Sequence, residues 1–197
     1  MRGPVLVMAA LVLAGCVGVP RSPRSSATSE QRPTPVPTGL RHFDAGELSF
    51  DYPAVWQEAR FEMVSSFSTA LVFLSTASLS DPCTRTPNSI ACTRLAASKL
   101  EADGIYLVWF HWGFPAWTFD PSKGTPQAVG GRPATLERLD PTPSCRAIGG
   151  ERELLVTVDN PTAQWNWNEL QACLRGPALD VLEGQIDAMF ATVHWRP

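Results

Sequence analysis

An α+β domain is what the sequence predicts: an antiparallel meander sheet with one amphipathic helix packed on it at the C-terminus. Three observations carry this expectation. Apolar side chains recur with period two through most of the region from residue 40 to residue 175, the spacing of strands with a buried face. Gly-Gly pairs separate strand-like runs at positions suited to tight turns. Near the C-terminus the period changes to the 3.6 residues of a helix. The alternative on the same pattern is a small β-sandwich or barrel with a terminal helix.

The chain opens MRGPVLVMAALVLAGC, where one basic residue, Arg2, precedes an uncharged run from Val5 to Ala14. This is the layout of a secretory signal peptide. The run has about half of the roughly 20 apolar residues that a spanning helix needs. It ends Leu13-Ala14-Gly15-Cys16, which resembles the lipobox of bacterial lipoproteins. The resemblance implies cleavage between Gly15 and Cys16 and diacylation of the Cys16 thiol. The mature protein would then be held at the membrane, on its extracytoplasmic face, by lipid on Cys16. Residues 1–15 are thus the leader.

Residues 16–40 follow as the lipidated cysteine and a tether. Pro20, Pro23, Pro33, Pro35 and Pro37 stand among many Ser and Thr with almost nothing large and apolar. Such a composition cannot bury enough surface to offset the entropy of ordering. Arg21, Arg24 and Arg32 against Glu30 favour a position near anionic headgroups.

Residues 41–197 form one domain, long enough for a core of its own. With Cys16 assigned to lipid, Cys83, Cys92, Cys145 and Cys173 remain, an even count that reads as two disulfides in an exported chain. Three pairings are open. Cys83–Cys92 with Cys145–Cys173 is favoured, because the first closes a short loop through the turn-rich Thr86-Pro87-Asn88-Ser89. The spacing holds no C-x-x-C pair and the three histidines stand apart, so no metal is expected.

Within the domain, GELSFDYP places Leu48, Phe50 and Tyr52 on one face and Glu47, Ser49 and Asp51 on the other, a half-buried strand ended by Pro53. ALVFLST and GIYLVWFHW are apolar on both faces and suit central strands. Gly130-Gly131 and Gly149-Gly150 each read as a hairpin turn. ELLVTV is a further strand, with Leu154, Val156 and Val158 on one side. Residues 164–174 read as a last strand, with a helix over NELQACL as the alternative. Thr93 to Leu100 is a candidate short helix. Leu179, Leu182, Ile186, Met189, Phe190 and Val193 share one helical face, opened by Gly176-Pro177, with Asp180 and Glu183 in the form of a capping box.

Phe50, Tyr52, Pro53 and Trp56 in an F-x-Y-P-x-x-W opening, the run of strands and the final helix resemble the PsbP/Mog-like fold. The layout is similar to that of small actinobacterial envelope lipoproteins that carry it, and Arg outnumbers Lys by 14 to 2, as in a GC-rich genome. The resemblance implies binding to other proteins or assembly on membranes, and it brings no catalytic residues.

Charge and motifs narrow the function. From residue 40 onward 12 Lys and Arg face 18 Asp and Glu, a net of −6, which argues against a nucleic-acid partner. No G-x-S-x-G, H-E-x-x-H or Gly-rich phosphate loop is present. His42, His111 and His194 are isolated; Glu151 and Glu153 flank a turn; Asp140 and Asp159 precede prolines or turns, where Asp serves the backbone. The expectation is a non-catalytic interaction or assembly module of the cell envelope, without a cofactor. The alternatives are a carrier or sensor of an apolar small molecule or lipid, and, third, an envelope hydrolase. The partner is an envelope protein or an apolar ligand. Trp109 is assigned to the core. Trp112, Trp117 and Trp167, at strand ends beside Gly, Pro and Asn, are expected to form with His111 a partly exposed aromatic patch.

Overall fold

Strand pairing begins at Leu40, opposite Pro53. The computed structural model describes residues 39–63, 65, 67–114, 116–161 and 165–196. Gly15 and Cys16, with the leader and all but the last residues of the tether, lie outside the described residues. In chain order the elements are β1 (Leu40–Asp44), β2 (Leu48–Pro53), β3 (Gln57–Ala59), β4 (Ser68–Ser75), β5 (Cys83–Thr86), β6 (Ser89–Cys92), β7 (Gly104–Trp112), β8 (Thr125–Val129), β9 (Arg132–Leu139), α1 (Pro143–Ala147), β10 (Arg152–Asp159), β11 (Trp167–Arg175), α2 (Leu179–Phe190) and β12 (His194–Trp195). No helix among them is long and apolar enough to cross a membrane.

The α+β class expected from the sequence is overturned. Strands make up 47% and helices 11%, in three antiparallel sheets with no closed barrel among the described residues. The large sheet has the order β3-β4-β7-β11-β10-β9-β8, a smaller one β1-β2-β12, and β5-β6 is a separate hairpin. The expected meander is also broken. β7 is followed in the sheet by β11, while the chain crosses to the far edge at β8 and returns strand by strand. Helical weight is small because the one amphipathic stripe fills only α2, about three turns long.

The other expected short helix does not form. In residues 93–100 the backbone groups are taken by neighbours: Leu100 N–H donates to the Ile148 carbonyl at 2.7 Å and the Ala96 carbonyl accepts from Ser80 N–H at 2.7 Å. Ala96 N–H in turn donates to the Tyr106 hydroxyl at 3.1 Å. The segment lies as an irregular cover on β7. Nor is there a capping box on α2: Ala178 stands at the N-cap with no side-chain hydrogen bond, and the Asp180 carboxylate accepts from Arg152 at 2.7 Å.

The two Gly-Gly pairs differ. Gly130 and Gly131, at φ of 57° and 80°, join β8 to β9 by the two-residue turn expected, with Val129 opposite Arg132. Both torsions lie where only glycine is at ease. Gly149-Gly150 is not a hairpin turn, because α1 rather than a strand precedes it. Gly150 instead allows a close approach: a Cβ there would stand 2.4 Å from Cys145 Sγ. It makes room for the bond that Cys145 forms with Cys173 on β11, Cα atoms 5.6 Å apart. The other disulfide joins Cys83 and Cys92 across the β5–β6 hairpin, Cα atoms 4.0 Å apart. These are the two pairs favoured from the sequence.

The main core lies between the large sheet and the small one, with α2 beside it. Phe43, Leu48, Phe50 and Tyr52 from β1 and β2 meet Leu107, Trp109, Val156 and Leu170, and Leu182, Ile186 and Phe190 of α2 complete it. Trp109 is central. Its ring stacks on Phe50 with centroids 5.3 Å apart and meets Phe190 and Trp195 edge-on. The opposite face of the large sheet is covered only in part, by α1, the 93–100 segment and Phe61, Met63 and Leu79, over Phe73, Tyr106, Val108 and Phe110.

Candidate functional site

The candidate site follows from the broken meander. β7 ends at Trp112, and β8 begins four strand spacings away, about 19 Å. Of the described residues, 113, 114 and 116–124 bridge that distance over the partly covered face of the sheet. The strands beneath present one alternate set of side chains to the bridge: Phe110 and Trp112 on β7, Trp167, Glu169 and Gln171 on β11, Leu155 and Thr157 on β10, Thr135 and Glu137 on β9. A cleft of about 600 Å³ opens between Trp117, Phe119, Asp120 and Lys123 of the bridge and Thr135, Glu137, Leu155, Thr157, Trp167 and Glu169 of the sheet. A second cleft of about 510 Å³ continues along the same face over Val108 and Gln171 toward Arg94 and the Cys145–Cys173 bond. Both volumes are in the range of ligand sites.

Aromatic rings form one end of the cleft. Trp167 stacks on Trp117 with centroids 5.1 Å apart and planes 20° apart, and on Trp112 at 6.1 Å and 11°. Trp117 is held from behind by Phe114, at 5.0 Å, which itself packs on Phe67 at 4.4 Å. Asn166 Nδ2 donates to the Trp117 carbonyl at 2.9 Å. Ala116, just before it, has φ of 69°, a left-handed conformation that costs a non-glycine residue roughly 1–2 kcal/mol. Trp117 remains 48% exposed while Trp167 is buried. Trp117 is thus the exposed member of a cluster of three near-parallel tryptophan rings.

Beside the cluster stands Glu169. Burial pushes its carboxyl above the usual carboxylate range, against the opposing effects of Gln171 and, farther off, Arg94. Gln171 Nε2 donates to it at 2.6 Å. The Trp112 indole N–H also favours the charged carboxylate, although it is buried and closes no aligned hydrogen bond. The Arg94 guanidinium lies over the Trp112 ring at 5.0 Å and over Phe110 at 5.4 Å, a cation–π contact that keeps a positive charge at the border of the two clefts.

Of the four patch residues expected from the sequence, the structure brings Trp112, Trp117 and Trp167 together and separates His111 from them. Only Trp117 is strongly exposed. His111 is one residue from Trp112 on a strand, so its side chain points to the opposite face, where it is 2% exposed. There its ring stacks on Trp165 at 5.4 Å. Its Nε2 lies 2.7 Å from Glu47 Oε1, while neither ring nitrogen makes an aligned hydrogen bond. Burial lowers its pKa, with Glu47 opposing.

A pH dependence follows. The folded state keeps His111 neutral where the unfolded chain, with a histidine pKa near 6.5, takes up a proton. The stability from this group is present above about pH 6.5 and is lost as the pH falls toward the depressed folded value. Denaturation midpoints measured from pH 7.5 to pH 5 are therefore expected to fall with acid, and to fall less steeply in His111→Gln. Equal slopes in the two proteins would remove His111 as the cause.

Sequence reasoning missed Glu137, Glu169, Gln171, Arg94 and Thr157. The signal was present in part: Trp167, Glu169 and Gln171 alternate on one strand face, a pattern that the helical alternative over NELQACL conceals. What no local pattern gives is the bridge that lays Trp117 and Asp120 over that face. The other histidines lie elsewhere, with His42 Nδ1 2.7 Å from Asp51 at the surface and His194 on the edge strand β12. Among the described residues no three His, Cys, Asp or Glu are grouped to hold a metal. Compared with known protein families, with characterised proteins and with solved structures, the chain matches none.

Proposed function

We propose that this protein is a lipid-anchored binding module of the cell envelope, which engages its partner through the cleft beneath the 113–124 bridge and carries out no chemistry on it. The observation that supports the reading is Trp117: a large aromatic side chain, half exposed, fixed by stacking and by Asn166 at the mouth of an open cleft. Exposed, rigidly held tryptophans are typical binding anchors. An open cleft with carboxylates on its floor suits a polar partner better than an apolar cargo, which would leave those groups desolvated without partners. The lipobox-like Leu13-Ala14-Gly15-Cys16 supports anchoring through Cys16, with the Pro-rich tether giving the domain reach.

The test uses the full chain. The Cys16→Ser protein is expected to leave the membrane fraction at high salt and still bind isolated native envelopes saturably. Adding Trp117→Ala is expected to weaken that binding at least tenfold. Retention of Cys16→Ser on membranes at high salt would overturn the anchor, and undiminished envelope binding by the Trp117→Ala protein would overturn the cleft as the binding face.

A further inference from the structure

The chemistry of the cleft defines its ligand more narrowly, on the reading that the cleft is the binding face. The charged residues lining it are Asp120, Glu137 and Glu169 against Lys123 alone, three acids to one base. An anionic ligand, whether phosphate, uronate or nucleic acid, would meet a repulsive field there. A quaternary ammonium would need aromatic faces turned around a void, but these tryptophan planes are within 11°, 20° and 31° of one another. They form a platform, not a cage. A lipid chain would strip water from three carboxylates and return no hydrogen bond.

What remains is a ligand with a flat apolar face for Trp117 and many hydroxyl donors for carboxylate and amide acceptors. The geometry points to a neutral oligosaccharide: one sugar ring lies on the exposed face of Trp117, with its hydroxyls donating to Glu169 and Glu137, and the chain continues over Gln171 into the second cleft. Several features agree with this assignment. Carboxylates accept from hydroxyls through charge-assisted hydrogen bonds, stronger than neutral ones. Gln171 Nε2 donates to one Glu169 oxygen, which holds this carboxylate in place on the cleft floor. Thr157 adds a hydroxyl on the strand between Glu169 and Glu137. The two adjoining clefts, about 600 and 510 Å³, give room for more than one ring. The Ala116 backbone strain next to the platform is of the kind that surrounding structure must hold in place.

The experiment is a titration of the full-length Cys16→Ser protein, followed by tryptophan fluorescence and by the indole N–H signals in NMR. The probes are maltohexaose, cellohexaose, mannohexaose and arabinohexaose, with hexagalacturonate as the anionic comparison. A saturable response to at least one neutral hexasaccharide is expected. Trp117→Ala should weaken it at least tenfold, Glu169→Gln should weaken it severalfold while leaving the thermal midpoint near that of the parent, and hexagalacturonate should bind at least tenfold more weakly. Absence of response to all four neutral sugars, or equal binding of the galacturonate, would overturn the inference. Envelope binding that depends on Trp117 but is unaffected by millimolar neutral sugars would overturn the glycan assignment and leave the binding-module reading standing. Recovery of cleaved sugar would overturn the non-catalytic reading.

Discussion

Replacing Trp109 with alanine is expected to destabilise the fold by about 3–5 kcal/mol, the range for large aromatic truncations in a well-packed core. The side chain is fully buried. It touches every layer of the main core: Phe50 of the small sheet at 5.3 Å, Phe190 of α2 at 6.1 Å and Trp195 of β12 at 6.0 Å. Its indole N–H donates to Asn168 Oδ1 at 3.1 Å on the neighbouring strand. Truncation opens a cavity at the junction of two sheets and a helix, and it strands a buried amide whose Nδ2 already lacks a partner. Urea denaturation followed by circular dichroism measures the loss. A cost below about 1.5 kcal/mol would mean that the layers hold together without their shared ring. Trp117→Ala, on the other face, removes an exposed ring and is expected to change stability far less while weakening binding at least tenfold.

The two disulfides should not be equivalent. Cys145 and Cys173 are 28 residues apart in sequence and Cys83 and Cys92 are 9 apart. On loop-closure entropy, removing the longer link by Cys145→Ala/Cys173→Ala is expected to cost about 3–4 kcal/mol and the shorter about 1 kcal/mol less. Position widens the gap. Cys145 is buried and binds α1 to the face of β11, within the second hydrophobic cluster, whereas β5–β6 stands apart from the other sheets with mostly exposed residues. Its opening can stay local. Thermal unfolding of the two double variants checks this, and equal midpoint losses would show that the hairpin is bound to the core more firmly than its exposure indicates.

Much of the fold was legible because burial on one face writes itself as period two. Leu48, Phe50 and Tyr52 are buried as that pattern requires, and β4 and β7, apolar on both faces, are central neighbours in the large sheet. The helical stripe from Leu179 is α2. What misled was the weight given to helix and the order of strands. Residues 93–100 have a helix-tolerant composition, but Tyr106 and Ile148 claim their backbone groups. Those partners are local neither in sequence nor in pattern. The α+β class failed for a related reason: one stripe of helix was taken as half of a layer, where a second sheet fills most of it. In the cleft, the tryptophans were legible by type and the carboxylates were not, since an isolated Glu on a strand reads as solvated until a bridge from elsewhere covers it. His111 shows the limit most simply. It was grouped with Trp112 by adjacency, and adjacent residues on a strand face opposite ways.

The pairing of β12 with β2 bears on the order in which the fold can close. Ser49 lies opposite His194 and Leu48 opposite Trp195, and the Arg196 guanidinium reaches back to the Asp44 carboxylate at 2.8 Å. The second strand of the domain therefore has as its neighbour the last of the described elements in chain order. β7 likewise waits for β11. Loops of that length close slowly, because their entropy is spent before any contact compensates it. Neither the small sheet nor the middle of the large one can therefore be completed before β11 and β12 are available.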